Sequence, residues 1–300
     1  MYNSPNVLLK GIQARFLRGL ATTPVSMLSP VVEQAVSDMN KETYVLFNHF
    51  GIIKEWLSEI EFNYLEDFAY EIINKDWQNG FLVDRNTLSD SRKYLGNDVE
   101  REINFSLDSW SNFPDRLVTE LIINGQTGLA FDGVAMFAAS RPKLQMPGTT
   151  FSNLLTGSGV TQDNIITDLL AGMVALRQVK ARNGDPFNYN PKWTVLIPPQ
   201  LEWKFKMIRN ASDLLSGGQS ITNIYKETFD IIVVDYLIPA DNDWFLVNTN
   251  SPFKPFIYQT RKPPEFDMID AKDQKFIKYF STARMNVGYG NPLAIAKINN

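Results

Sequence analysis

The sequence predicts an α+β fold, and three observations carry that prediction. Helical periodicity concentrates in two blocks, residues 90–124 and 162–182. An extended, aromatic-rich stretch precedes them, and strand-like runs gather towards the C-terminal end. Helices and strands do not alternate as βαβ units, so a regular parallel array is not expected. There is no internal repeat. The length, 300 residues, suits one or two domains at roughly 150 residues each.

Residues 1–40 read as a weakly periodic arm. Leu8 to Leu20 suggests a short helix interrupted by Gly11 and Gly19, and Pro24 and Pro30 break the chain after it. Ser29-Pro30 opens a further short segment through Val31, Val32 and Val36. Tyr44, Val45, Leu46 and Phe47 favour a strand. Ile52 to Ile60 fits strand or helix, with Ile52, Trp56 and Ile60 at helical spacing. Phe68–Ile73 and Phe81–Asp84 read as extended runs around Asp76-Trp77-Gln78-Asn79-Gly80, where Asn-Gly signals a turn. The region 41–90 is therefore expected to be hairpin-rich.

Val99, Ile103, Leu107 and Trp110, then Leu117, Val118, Leu121 and Ile122, recur at helical spacing. Pro114 either kinks one long helix or opens a second, with Asp115 near its start. Asn124-Gly125 is a stop signal. Eight Gly and Pro residues make 125–160 loop-rich. From 162 to 182 an apolar face runs through Ile165, Ile166, Leu169, Leu170, Met173, Leu176 and Val179, with Thr161 as N-cap and Asn183-Gly184 as stop. Trp193–Ile197 is a buried-strand candidate, and Pro198-Pro199 opens a helix bearing Leu201, Phe205 and Ile208. Residues 211–228 read as a loop. Phe229–Val234, Trp244–Val247, Phe253–Gln259 and Phe276–Tyr289 read as strands.

Hydrophobic residues make up 44% of the chain, enough for a packed core, and aromatics reach 12%. There are no cysteines, which excludes disulfides, thiolate metal sites and cysteine nucleophiles. Their absence fits synthesis in a reducing cytosol. The net charge is −4 with no basic stripe, unlike a free nucleic-acid binder. The longest apolar runs, such as Ile231-Ile232-Val233-Val234, are too short to span a bilayer, and residues 1–10 carry no signal-peptide pattern. The expectation is a soluble protein made inside the cell, away from membranes. Met1 at the start argues against a removed prosegment.

Candidate chemistry is thin. Asp241 and Asp243, or Asp267, Asp270 and Asp273, offer oxygen ligands to a hard cation, but Asp-Asn-Asp before a strand is an ordinary turn and no EF-hand spacing exists. Glu59 with Glu61, or Glu71 with Asp84, could be paired carboxylates, although solvated surface explains them as well. His49, the single histidine, has no nucleophile elbow or ligand partner nearby. Gly157-Ser158-Gly159 precedes a helix but lacks the Gly-Lys-Ser/Thr of a phosphate loop, so it reads as a linker, as Gly217-Gly218 reads as a loop. No catalytic residue, metal or cofactor is assigned. Lys54 and Lys75 lie in the hairpin region, yet nothing identifies a covalent crosslinking pair.

The C-terminal third carries the most specific text. Trp244-Phe245-Leu246-Val247 leads through Asn250-Ser251-Pro252-Phe253-Lys254-Pro255-Phe256-Ile257-Tyr258-Gln259 to Arg261-Lys262-Pro263-Pro264-Glu265-Phe266, and the chain closes with Ala283-Arg284-Met285-Asn286-Val287-Gly288-Tyr289-Gly290. Phe81-Leu82-Val83-Asp84-Arg85, Phe113-Pro114-Asp115, Phe131-Asp132-Gly133 and Val195-Leu196-Ile197-Pro198-Pro199 agree in order upstream. Over about residues 40–295 the sequence resembles the major head subunit, or T protein, family of Mu-like phages. The arm is the part that does not match.

That resemblance implies an HK97-type shell fold and a major capsid protein of a tailed double-stranded DNA phage, forming pentamers and hexamers of an icosahedral head. The implied parts are an N-terminal arm (1–40), an extended E-loop hairpin (41–90), a peripheral domain with a long spine helix (91–150 and 245–300) and an axial domain (151–244). The 211–228 loop would approach the capsomer centre. An extended hairpin cannot bury its apolar groups alone. Tyr44, Phe47, Trp56, Phe62, Tyr64, Phe68, Tyr70 and Trp77 are therefore the expected contacts with a neighbouring subunit. Implied partners are further copies of the chain, a separate scaffolding protein, a portal, decoration or minor capsid proteins, and packaged DNA touched non-specifically. The separate scaffold follows from the short arm. The arm and hairpin are expected to differ among shell positions. The location would be the virion, after assembly in the host cytoplasm. Alternatives are an encapsulin-like cargo shell or, in a different class, a carboxylate-dependent hydrolase.

Overall fold

A computed structural model describes Gln13, Phe16, Glu55 and residues 26–47, 67–85, 95–142, 150–181, 184–216, 219–237, 242–271 and 274–300. The short helix expected over Leu8–Leu20 lies outside these residues except at Gln13 and Phe16, both helical, and the Ile52–Ile60 stretch lies outside them except at Glu55.

A 3-10 turn at Ser29–Val31 leads into β1 (Val32–Val36). β2 (Lys41–Phe47) and β3 (Asp67–Ile73) follow, then β4 (Lys75–Asp84) and the long helix α1 (Leu95–Ile123). Three short strands, β5 (Arg141–Pro142), β6 (Thr150–Phe151) and β7 (Leu154–Thr156), cross the Gly/Pro-rich region. α2 (Gln162–Arg177), β8 (Trp193–Ile197) and α3 (Glu202–Asn210) come next. β9 (Asp213–Ser216) pairs with β10 (Gln219–Thr222), so the stretch expected as loop contains a small hairpin. The chain ends with β11 (Asp230–Val233), β12 (Trp244–Asn248), β13 (Phe256–Ile269), β14 (Phe276–Tyr289) and β15 (Ile295–Asn299).

Two sheets organise these elements. One has the order β11-β8-β12-β15-β7, the other β1-β13-β14-β4. Every residue of β8 and β12 is buried, and alternation divides them between two cores. Trp193, Val195, Ile197, Trp244 and Leu246 meet Ile165, Leu169 and Leu176 of α2 and Phe205 and Ile208 of α3. Leu196, Phe245 and Val247 face the opposite way, against Val118 and Ile122 of α1, Leu28, Phe137, Phe256 and Tyr289. This second core joins the two sheets. A third core lies where α1 covers the four-stranded sheet through Ile103 and Trp110 against Phe266, Ile277, Tyr279 and Met285. There the Trp110 indole N–H donates to Ser281 Oγ at 2.7 Å.

Several expectations shift. β12 and β15 lie in the sheet of β8, so residues 245–300 supply strands to both sheets. Asn79-Gly80 is no turn. It lies inside β4, opposite Ser281 and Phe280, at a spot where a Cβ on Gly80 would sit 2.9 Å from the Tyr279 carbonyl oxygen. The glycine is there for close strand approach, and β4 leaves the hairpin to become the edge of the four-stranded sheet. α1 is one helix with Pro114 inside it, and Asp115 serves the preceding arm rather than a helix start. α2 stops at Arg177, before Asn183-Gly184; Gly184 instead takes φ +97° in a turn closed by its N–H on the Ala181 carbonyl.

β13 runs through Pro263 and Pro264 and ends ten residues beyond the strand expected at 253–259. β1 pairs with Phe256–Thr260, so past Thr260 this side of β13 has no neighbouring strand among the described residues. Proline is tolerated on such an edge. Its ladder with β14 absorbs the two missing N–H groups through register shifts between Thr260 and Glu265.

Candidate assembly interface

The hairpin β2–β3 forms its own two-stranded ladder, with Tyr44 opposite Tyr70, Leu46 opposite Phe68 and Phe47 opposite Asp67. It is joined to the four-stranded sheet by Ser37–Asn40 on one side and by Asn74 on the other. Both tyrosines of the Tyr44–Tyr70 rung are held by their own chain. The Tyr44 hydroxyl donates to Gln259 Oε1 at 2.8 Å, and the Tyr70 hydroxyl accepts the Tyr289 N–H at 3.3 Å. Burial, aided by the negative charges of Glu42 and Glu33, pushes the Tyr44 phenol up to about 12, so it stays a donor.

Trp77 lies in β4, outside the hairpin. Its indole N–H donates to the Met285 carbonyl at 2.9 Å, and its ring meets Phe113 edge-on at 4.8 Å. The polar tip of this half-buried tryptophan is thus satisfied within the sheet. Phe47 and Phe68 are placed in the ladder by their backbones. Trp56, Phe62 and Tyr64 lie outside the described residues.

The root carries a polar cluster that the sequence did not announce. Glu42 Oε1 accepts from Ser37 Oγ at 2.9 Å and from the Asp38 and Met39 N–H groups at 3.0 Å each. The Met39 peptide bond and the Ser37 hydroxyl hold its carboxyl below the usual range. Apolar surface surrounds the cluster: Val36, Met39 and Ile73 are exposed.

A second exposed apolar surface was also missed. Trp203 is 78% exposed and Met207 55%, four residues apart on the α3 face opposite Leu201, Phe205 and Ile208. Ile221 and Ile224 are exposed nearby, where Asn223 ties the chain back to the Ile208 and Ala211 carbonyls. The signal was present: Trp203 and Met207 share one helical stripe, and Glu202, Lys206 and Arg209 around them mark it as outward-facing.

The sharper chemical candidates resolve into structural contacts. Glu71 pairs with Lys41 at 2.6 Å and Asp84 with Lys275 at 3.0 Å, so the two carboxylates are held apart by separate cations. Asp243 pairs with the buried Lys297 at 2.7 Å, and Asp270 pairs with Arg85. Asp267 accepts its neighbour's N–H. Among the described residues no three His, Cys, Asp or Glu side chains stand together as a metal site would need. The would-be phosphate loop is occupied by the chain itself. The Ser158 N–H and hydroxyl both donate to Asp168 at 2.8 and 2.7 Å, and the Asn300 side chain fills the space beside Gly157. A carboxylate at that position repels an anion. His49, Lys54, Glu59, Glu61, Asp241, Asp273 and Gly217-Gly218 lie outside the described residues, and Lys75 is an exposed residue of β4.

Among the described residues these candidate side chains are taken up by structural contacts. Residues 6–164 match the family described as Mu-like prophage major head subunit gpT, and residues 109–298 match a phage capsid protein family. The Mu-like prophage FluMu major head subunit of Haemophilus influenzae is 22% identical over 289 residues, 94% of this chain and 69% of that protein. The major capsid protein of Escherichia phage Mu is 24% identical over 161 residues, 54% of this chain and 52% of that protein. The procapsid subunit of bacteriophage JBD30 shares the fold, with a TM-score of 0.57 at 18% identity, covering 98% of this chain and 74% of that one. The chain belongs to the Mu-like prophage major head subunit family: it is a phage major capsid protein of the HK97-type fold, a structural subunit and not an enzyme.

Proposed function

We propose that copies of this chain associate around five-fold and six-fold axes into the icosahedral head of a tailed phage and enclose its DNA. The observation that carries this reading is the hairpin β2–β3, which forms a two-stranded ladder of its own, separate from the four-stranded sheet. A two-stranded hairpin is marginal alone, and a neighbouring subunit supplies the surface it lacks. Head-to-tail contacts of this kind close into rings. Phe47, Trp56, Phe62, Tyr64 and Phe68 are the proposed anchors, whereas Tyr44, Tyr70 and Trp77 hold the hairpin's own root and the adjoining sheet.

In this reading the four-stranded sheet with α1 is the peripheral part. The five-stranded sheet with α2, α3 and the β9–β10 hairpin is the axial part, nearest the capsomer centre. A scaffolding protein, a portal, decoration or minor capsid proteins and non-specifically contacted DNA complete the set of partners, and assembly takes place in the host cytoplasm. Sedimentation of the chain, produced alone and together with the neighbouring genes, tests the reading. Fast-sedimenting particles are expected in at least the second preparation. Material that stays at the mass of one chain, 34.2 kDa, in both would overturn it.

A further inference from the structure

The hairpin meets the four-stranded sheet through a continuous buried polar chain. Gln259 on β13 is fully buried, Ser37 is 2% exposed and Asn74 is 5% exposed. Gln259 Oε1 accepts from Tyr44 of β2, and its Nε2 donates to Asn74 Oδ1 at 2.8 Å and to the Ile72 carbonyl of β3 at 3.4 Å. Asn74 Nδ2 donates to Ser37 Oγ and to the Met39 carbonyl, both at 2.8 Å. One amide thus holds both strands of the hairpin and, through Asn74, the Ser37–Asn40 link as well. Beside it, β3 packs directly on β14: a Cβ on Gly288 would lie 2.5 Å from Ile72 Cδ1 and 2.8 Å from Tyr70 Cε1. The Asn286 amide adds a bond to the Ile73 carbonyl at 2.8 Å.

Among the described residues β2 and β3 pair with each other and not with the four-stranded sheet. Two backbone bonds mark the root: the Asn74 N–H donates to the Asn40 carbonyl across the hairpin, and the Ser37 N–H donates to the Thr260 carbonyl of β13, both at 2.9 Å. Beyond Ser37 and the covalent link through Asn74, the hairpin is held to the body by side chains, and a side-chain network can be undone without dismantling a sheet. A fully satisfied buried network fixes one arrangement, whereas loss of one member leaves the others unpaired.

We propose that Gln259 and Asn74 form a latch that fixes the angle at which the β2–β3 hairpin leaves the body, and that opening the latch frees the hairpin root while both sheets stay intact. The consequence for assembly rests on the capsid reading: a chain with an open latch builds particles of several sizes where the native chain builds one. Gln259 is a positioning residue, acting through the strands it holds.

Hydrogen–deuterium exchange on the full, unassembled chain tests the latch, comparing the native protein with Gln259→Ala and Tyr44→Phe. Peptides covering residues 37–46 and 67–75 should exchange roughly tenfold faster in Gln259→Ala and by a smaller factor in Tyr44→Phe, while peptides covering β8 and β12 keep native rates. Native rates in the hairpin peptides, or equal acceleration across the molecule, would overturn the proposal. Should Gln259→Ala fail to fold, Tyr44→Phe alone decides by the same criteria. Exchange is read on the chain itself, so failure here leaves the capsid reading standing. A chain that exchanges as expected but never assembles contradicts only that reading.

Discussion

Glu42 gathers three donors within 3.0 Å at the hairpin root, two of them backbone N–H groups of the Ser37–Asn40 link. Hydrogen bonds to the ionised form favour it, so its folded pKa lies below the ordinary 4.5. Its contribution to stability is then complete above pH 4.5 and fades as pH falls through the lowered folded value. Glu42→Gln should melt below the native protein at neutral pH, with the gap closing in acid. A gap that is constant with pH would show that the carboxylate is not the relevant acceptor. Little of this was legible in advance. Glu42 and Ser37 are close in sequence, but Asn74 and Gln259 join the cluster across separations of 37 and 185 residues, and no spacing rule links side chains brought together only by the fold. Tyr44 and Tyr70 were singled out as aromatic, but aromatic content does not tell whether a ring finds its partner at home or on a neighbour.

Among the elements, α1 and the arm before β1 depend on each other. Asp115, one residue after Pro114, accepts the Met27 and Leu28 N–H groups at 3.1 Å each, together with the Ser26 hydroxyl. Leu28 is thereby seated in the core that joins the two sheets. Asp115→Ala should cost roughly 2–3 kcal/mol, since it strands backbone donors in a buried place. A denaturant titration would show this as a lower midpoint with an unchanged slope, and a midpoint within error of native would refute the role. The helices and the buried strands were readable because 3.6- and 2-residue periods survive in their apolar residues, as in Ile165–Leu176 and Trp193–Ile197. Thr161 does cap α2, accepting the Asn164 N–H at 3.3 Å. Local punctuation was less reliable. Asn79-Gly80 and Pro263-Pro264 look like breaks, yet both lie inside strands, because a close neighbour needs the glycine and an unpaired edge tolerates the prolines.

For the whole molecule, the fold class and the family resemblance followed from ordered motifs, whereas the division between the sheets did not. The C-terminal residues weave between both layers, with β13 and β14 in one sheet and β12 and β15 in the other. A linear boundary cannot describe that topology. The central core, with Leu28, Val118, Phe245, Phe256 and Tyr289, makes one body of the two layers. Among the described residues, exposed apolar side chains include Val36, Met39 and Ile73 at the hairpin root and Trp203 and Met207 on α3. Subunits that tile a shell need surfaces of this kind on more than one side. Electron microscopy of the chain, produced alone and with its neighbouring genes, is the most direct test. Capsomer rings or closed shells, with the hairpin of one subunit lying across the next, are the predicted result. A uniform field of single chains in both preparations would contradict the account.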